Sequence, residues 1–114
     1  MRDRQFALRV IKLVESLPRD LTSNVLGRQL LRAGTSVGAN YRSACRSRSR
    51  ADFISKMTIV EEEADESSYW MELLVDSEKI EASKTASLIQ EANELVAIAV
   101  SSINTARKSS KERK

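Results

Sequence analysis

The sequence predicts an all-α protein folded as an antiparallel up-down four-helix bundle, and two observations support this class. Apolar residues recur at intervals of three and four along nearly the whole chain, which is the period of a helix that buries one face. The 114 residues include three glycines, one proline and 4% aromatic residues, fewer than the turns and strands of a β-sandwich or barrel use. We assign residues 1–106 to the bundle and residues 107–114 to a disordered basic tail.

The first two helices follow from their apolar stripes and from the residues at their ends. Pro18 ends the first helix because proline lacks an amide hydrogen and cannot continue the backbone ladder. Thr22 or Ser23 can cap the second helix with its side-chain oxygen. The stripes comprise Phe6, Val10, Leu13, Val14 and Leu17 in the first helix and Leu26, Leu30, Ala33, Val37 and Tyr41 in the second.

Three glycines share one stripe of the second helix, at Gly27, Gly34 and Gly38. Each glycine costs about 1 kcal/mol relative to alanine inside a helix, so their alignment suggests that another helix approaches closely there. In the alternative interpretation the helix breaks at Gly34, and Thr35 or Ser36 caps a new one. The apolar stripe keeps its phase beyond Gly34, which favours one unbroken helix.

The third and fourth helices are delimited by two polar connections. Residues 45–50 lack apolar periodicity, and Ser49 followed by Asp52 resembles a capping box at the start of the third helix. Residues 76–82 form the next connection, with Ser83 as the cap of the fourth helix. The inward residues are Phe53, Met57, Val60, Ala64, Met71 and Leu74 in the third helix and Leu88, Ala92, Leu95, Ala99, Ile103 and Ala106 in the fourth.

The composition excludes several kinds of site. The chain has no histidine and one cysteine, so it lacks an imidazole base, an internal disulfide and the ligands of a His/Cys zinc site. Paired carboxylates remain possible catalysts, but no phosphate loop or nucleophile motif accompanies them. We expect no catalytic residue, no metal and no cofactor. No segment reads as a targeting signal or a membrane span, so we expect a cytoplasmic protein.

Charge is distributed unevenly along the chain. Residues 1–50 contain eleven basic and three acidic residues, whereas residues 51–81 contain two basic and ten acidic residues. In a hairpin that turns near residue 47, Arg28 and Arg32 lie level with the acidic residues 62–66, so we expect them to form ion pairs. Such pairs contribute less than about 1 kcal/mol each when exposed.

Four arginines at the end of the second helix and in the following turn carry the binding hypothesis. They are Arg42, Arg46, Arg48 and Arg50, with no acidic residue among positions 42–50. The planar guanidinium donates hydrogen bonds in a geometry suited to phosphate. We predict that these four residues bind nucleic acid; the alternative is a solvated turn without a ligand. Cys45, beside them, is expected to be semi-buried.

Large side chains also lie off the inward face of the third helix, at Ile59, Tyr69, Trp70 and Leu73. Two interpretations are open: these side chains wedge between helices of their own subunit, or they anchor a subunit interface, where tryptophan and tyrosine are favoured. The opposite charges of the two segments suggest subunits that meet head to tail, which closes into a ring when the rotation permits. We therefore predict a homo-oligomer with these four residues at its interface.

Several of these segments resemble a known family. The stretch QLLRAGTSVGANYR at 29–42, RADF at 50–53 and YWMELL at 69–74 are similar to the four-helix-bundle proteins encoded within intervening sequences of bacterial large-subunit ribosomal RNA genes, the S23 ribosomal-protein-like family. The chain also resembles their relatives, the accessory proteins of diversity-generating retroelements. The similarity extends over about residues 6–103, with one departure: Ser43 stands where many relatives have an acidic residue.

The resemblance implies a ring of four-helix bundles, commonly a pentamer, with no catalytic residues to carry over. In the retroelement branch it implies a basic surface that engages nucleic acid and a reverse transcriptase as partner. The leading hypothesis is therefore a non-enzymatic oligomer that binds structured nucleic acid, RNA ahead of DNA, through the arginine-rich turn. The alternative is a protein-binding scaffold or accessory subunit that makes no contact with nucleic acid.

Overall fold

Four helices account for nearly all of the described residues. The structure, a computed structural model, describes residues 2–112, with side chains over residues 4–109. The helices are α1 (Arg2–Glu15), α2 (Leu21–Cys45), α3 (Arg50–Asp76) and α4 (Ala82–Glu112). Each helix packs against the next, and α1 also contacts α4. This arrangement confirms the predicted all-α, up-down bundle.

The core is built from the predicted apolar stripes of all four helices. Val10, Leu30, Val60 and Leu95 are each at most 1% exposed. Burying a side chain of this size contributes about 1.5–3 kcal/mol relative to leaving it in water. Six predicted stripe residues are instead half-buried at the edge of the core, namely Val14, Leu17, Leu26, Tyr41, Phe53 and Ala106.

Helix α2 is continuous from Leu21 to Cys45, so the alternative with a break at Gly34 is wrong. Its glycines allow α1 to pack closely. A Cβ atom at Gly34 would lie 2.8 Å from Cγ1 of Val10, and one at Gly27 would lie 3.2 Å from Cδ1 of Leu17. The close approach inferred from the glycine stripe is therefore the α1–α2 contact.

The helix starts agree with the sequence prediction at α3 but not at α2. The N-cap of α2 is Asp20, whose carboxylate accepts a hydrogen bond from the Ser23 backbone N–H at 2.8 Å. Thr22, like Ser23, lies inside the first turn of α2, because the extended backbone of an N-cap is already provided by Asp20. The N-cap of α3 is Ser49, which accepts from the Asp52 backbone N–H at 3.0 Å, as predicted.

The α3–α4 connection is shorter than predicted. Glu78 has a φ of 61°, and the backbone N–H of Lys79 donates to the Leu74 carbonyl oxygen at 2.9 Å. These are features of a Schellman motif, which ends a helix with one residue in the left-handed region. Because the chain reverses within this motif, α4 already begins at Ala82, and Ser83 is a helical residue rather than the cap.

The end of α4 differs from the predicted tail. The helix continues through Glu112, so residues 107–112 are helical, while residues 113 and 114 lie outside the described residues. Adding one residue to an existing helix forms one further hydrogen bond, and arginine, lysine and glutamate have good helix propensity. The polar composition of this segment therefore did not end the helix where the apolar stripe ends.

Candidate nucleic-acid interface

The four candidate arginines lie around the end of α2 and the start of α3, and we call this set the Arg turn (Arg42, Arg46, Arg48 and Arg50). Arg46 is the C-cap of α2, and Arg50 is the first residue of α3. Arg42, Arg46 and Arg48 are exposed and Arg50 is half-buried. The structure therefore brings all four predicted residues to one end of the bundle. Cys45 is exposed there, not semi-buried, because it lies beyond the apolar stripe in the last turn of α2.

Local hydrogen bonds give the Arg turn a defined backbone. The Ser47 hydroxyl donates to the Ser43 carbonyl oxygen at 3.1 Å, and the backbone N–H of Ser47 donates to the Ala44 carbonyl oxygen at 3.1 Å. Ser49 then caps α3 with an uncharged hydroxyl. The backbone N–H groups at the start of a helix carry partial positive charge, which adds to the charge of the neighbouring arginines.

No described carboxylate neutralises the Arg turn. Among the side chains of residues 4–109, none forms an ion pair or hydrogen bond with Arg42, Arg46, Arg48 or Arg50. Asp52 is the one acidic residue in the first turn of α3, and its carboxylate forms no ion pair with these arginines. The guanidinium groups at this end of the bundle are therefore available to an external anion.

Arg32, nearly three turns before Arg42 on α2, is held internally instead. Its guanidinium forms ion pairs with Glu63, at 3.2 Å, and with Glu66, as the sequence analysis predicted. The hydrogen bonds from Arg32 to Glu66 and Glu63 raise the pKa of Arg32 above its ordinary value. Glu66 also accepts a hydrogen bond from the indole N–H of Trp70 at 3.0 Å, so the network joins α2 to α3.

Arg28 does not form the ion pairs that Arg32 forms. It forms no ion pair with any side chain that the structure describes, so the predicted pairing with the acidic residues 62–66 is wrong for this residue. Arg28 lines a recess at the α1–α2 corner together with Glu15 and Arg19. Arg32 and Arg28 share one face of α2, since four residues are about one turn of a helix. With Arg32 beside Glu63 and Glu66 of the antiparallel α3, Arg28 lies level with residues 67–70, none of which is acidic.

The last turns of α4 extend the basic surface. Arg107 and Lys108 are exposed, and a groove between α3 and α4 is lined by Arg50 on one side and Ser109 on the other. The structure thus joins two regions that are far apart in sequence. We call the Arg turn with Arg107 and Lys108 the basic end of the bundle. The sequence pattern does not predict this junction, because the apolar stripe of α4 ends at Ala106 and residues 107–114 then look like a separate tail.

The predicted interface residues differ in how far they are used within the subunit. Trp70 is half-buried against the core, and its ring centroid lies 5.0 Å from that of Tyr69. Ile59 and Leu73 are also half-buried, whereas Tyr69 is 53% exposed. Trp70 therefore makes contacts within its own subunit, and Tyr69 is the member of the set that presents most of its surface to solvent.

Acidic residues form a second charged surface on α3. Glu61, Asp65, Glu72 and Asp76 are exposed or half-buried, and within residues 4–109 no basic side chain pairs with any of them. These carboxylates do not converge. No group of three or more acidic or cysteine side chains in the described part of the chain is arranged to hold a metal ion.

None of the helices in residues 2–112 combines the length and the hydropathy needed to cross a membrane.

The fold and the charge distribution define a small helical bundle with one basic end and an acidic stripe on its third helix. The family model described as "23S rRNA-intervening sequence protein" matches residues 1–101. The chain therefore belongs to the 23S rRNA-intervening sequence protein family, as its resemblance indicated.

A solved structure supports this assignment. The chain is similar to a crystal structure described as a protein with unknown function from the S23 ribosomal protein family of Bacteroides thetaiotaomicron. The two are 36% identical, the match covers 90% of this chain and 94% of the other, and the TM-score is 0.82. No curated protein matches the chain significantly.

Proposed function

We propose that this protein acts by binding rather than by catalysis, and that the Arg turn binds the phosphate backbone of structured RNA. One contrast supports the proposal above all. Arg32 is held by two carboxylates of α3, whereas the four arginines of the Arg turn have no partner among the described side chains. Uncompensated guanidinium groups at one end of a bundle attract an external polyanion.

The chemistry of the Arg turn suits contacts to phosphate better than the reading of bases. Each guanidinium can donate two parallel hydrogen bonds to a phosphate. Such contacts displace condensed counterions, so affinity falls steeply as salt rises, and they carry little sequence information. We therefore expect binding that depends on the shape and charge of the nucleic acid.

We propose RNA rather than DNA as the ligand because of the names of the relatives. The matched family model is named after 23S rRNA intervening sequences, and the similar Bacteroides protein is described under a ribosomal protein family. Both names concern RNA. The proposal for this chain is accordingly an RNA ligand with at least one folded, double-stranded segment, whose phosphates are spaced to meet several arginines at once.

The test is a triple substitution, Arg46→Ser, Arg48→Ser and Arg50→Ser, measured with a synthetic hairpin RNA over a salt series. We expect at least about a tenfold loss of affinity at low salt and a salt slope that is smaller by about three, since each lost phosphate contact reduces the slope by about one. Fluorescence anisotropy with labelled RNA provides both quantities.

The matched control removes the same charge elsewhere. Arg9, Lys12 and Lys84 line a recess between α1 and α4, and changing all three to serine lowers the net charge equally. The control variant should bind RNA much as the unmodified protein does. Equal losses in the two triple variants would mean that net charge alone drives binding, and unchanged affinity of the Arg-turn variant would refute the proposal.

A second candidate function, that of a homo-oligomeric scaffold, is favoured by the acidic stripe of α3. Its carboxylates at Glu61, Asp65, Glu72 and Asp76 lack partners among the described side chains, and Tyr69 is exposed nearby. We propose that the basic end of one subunit docks against this stripe of the next, in a ring that the family resemblance suggests is a pentamer. A reverse transcriptase is the alternative protein partner.

Light scattering coupled to size-exclusion chromatography tests the scaffold. A ring would elute with a whole multiple of the subunit mass, and substitution of Glu61 and Asp65 by lysine should dissociate it because like charges then face each other. A monomer at micromolar concentration would refute the assembly. If the ring consumed the arginines, RNA affinity would rise when it dissociates.

A further inference from the structure

The groove between the start of α3 and the end of α4 has a distinctive lining. One wall is formed by Arg50 and Phe53 of α3, and the other by residues of α4, most of which bear hydroxyl groups. The volume is about 400 Å³, and the groove is open to solvent. The hydroxyl-bearing residues are Ser101, Ser102, Thr105 and Ser109.

The hydroxyls in this groove are uncommitted. Elsewhere in the bundle, hydroxyls such as those of Thr35, Thr58 and Ser67 donate to the carbonyl oxygen four residues earlier. Among the described residues, the four hydroxyls of the groove have no hydrogen-bond partner. They are therefore free to donate to, or accept from, a ligand.

Charge sets this groove apart from the recesses at the other end of the bundle. The recess at the α1–α2 corner contains Glu15 as well as Arg19 and Arg28, and the recess at the α3–α4 connection mixes glutamates with lysines. The groove contains Arg50 and no acidic residue. A third recess, around Arg9, is also basic but has no aromatic residue in its lining.

We propose that this groove holds one unpaired nucleotide of the RNA whose phosphates are bound by the Arg turn. The inference rests on the proposed function and specifies its ligand: a structured RNA with an unpaired residue beside a stem. The base stacks on Phe53, its polar edge meets the α4 hydroxyls, and the adjoining phosphate meets Arg50. Aromatic stacking of unpaired bases is a common basis of RNA recognition because every base offers a π face.

The arrangement also explains why the turn by itself predicts no base stacking. Residues 42–50 contain no aromatic residue, and the nearest aromatic residue before them is Tyr41 on α2. Phe53 lies one turn into α3, where it packs partly against the core and partly lines the groove. An aromatic surface next to a phosphate-binding arginine therefore arises from the start of α3, and α4 completes the site.

Two hairpin RNAs test the proposal, one with a single-nucleotide bulge and one fully paired but otherwise identical. The unmodified protein should bind the bulged hairpin about tenfold more tightly, in line with the contribution of one stacked base. In Phe53→Leu, which keeps an apolar side chain at the edge of the core, this preference should fall below about threefold while affinity for the paired hairpin is unchanged. Thr105→Val, at an exposed position, should reduce the preference about threefold by removing one hydrogen bond.

Ile54→Leu is the control, because Ile54 is the half-buried neighbour of Phe53 and also packs against the core. It should retain the full preference for the bulge. Equal affinity of the unmodified protein for the two hairpins, or a preference that survives in both Phe53→Leu and Thr105→Val, would overturn this inference and leave the proposed function standing. Failure to bind either hairpin would overturn the proposed function, and this inference with it.

Discussion

The two ends of the bundle cap the start of a helix with different chemical groups. At one end the charged carboxylate of Asp20 caps α2 and lies 3.4 Å from the Lys79 ammonium group. At the other end the uncharged hydroxyl of Ser49 caps α3, and the surrounding arginines have no partner among the described side chains. A neutral cap satisfies the backbone without cancelling the positive charge, so the basic end keeps its attraction for an external anion.

The largest effect is expected at Gly34, where α1 packs closely on α2. The two ends of the bundle keep their positions only while these helices are held in one register. In Gly34→Val the new side chain would overlap Val10, whose branched Cβ cannot easily move away. We expect the free energy of unfolding in urea to fall by about 2–3 kcal/mol. The exposed neighbour Thr35→Val should change it by less than about 0.5 kcal/mol.

Combining Gly34→Val with Val10→Ala sharpens this prediction. The smaller side chain at position 10 makes room for the valine, so the double variant should be more stable than the sum of the two single effects. Strict additivity would show that the two residues do not compete for the same space, which contradicts the close packing of α1 on α2.

Removing the cap of the basic end is expected to have the next largest effect. Ser49→Ala leaves the Asp52 backbone N–H without its acceptor, and an N-cap replacement of this kind costs about 1 kcal/mol. The cost should be the same at acidic and neutral pH, because the lost group does not ionise. Urea unfolding at several pH values measures it, and a cost below about 0.3 kcal/mol would mean that water replaces the cap.

The charged cap should behave differently with pH. The backbone N–H of Ser23, which donates to the Asp20 carboxylate, lowers the pKa of Asp20, and Lys79 acts in the same direction. Because the pKa is lower in the folded state, the stabilising contribution of the carboxylate is present above the ordinary aspartate pKa of about 4 and is lost as the pH falls through the lowered value. The difference in stability between the unmodified protein and Asp20→Ala should therefore shrink below about pH 4.

Ser49→Ala is the matched control for the pH experiment. Its difference from the unmodified protein should stay constant over the same pH range in which the Asp20→Ala difference shrinks. If the two differences shrink in parallel, general loss of native charge interactions explains the result, and the chemical contrast between the two caps has no measurable effect on stability.

The smallest effect is expected from the arginines themselves. Arg32→Met breaks an exposed ion-pair network and should cost less than about 1 kcal/mol, with a smaller cost at high salt. Arg48→Met, which has no described partner, should leave the free energy of unfolding unchanged within about 0.5 kcal/mol. A larger loss from Arg48→Met than from Arg32→Met would show that the Arg turn is held by contacts within the protein.

Much of the candidate site was predictable because its information is local in the chain. The absence of acidic residues from positions 42–50 and the cap formed by Ser49 are set within one or two turns. Arg32 could be paired with residues 62–66 because an antiparallel hairpin fixes which residues lie level. Arg28 fails the same argument because it lies one turn earlier on α2, level with residues 67–70 of α3, and none of these is acidic.

The sequence by itself determined the number and order of the helices, the stripes that form the core and the close approach at Gly27 and Gly34. These follow from periodicity and from steric rules that act along one chain segment. The tertiary structure alone decided which other groups from distant segments meet: Asp20 with Lys79, and Arg50 and Phe53 with the hydroxyl-bearing residues of α4. The physical reason is that each such meeting depends on the rotation of a helix about its axis and on its register against its neighbours, and packing sets both.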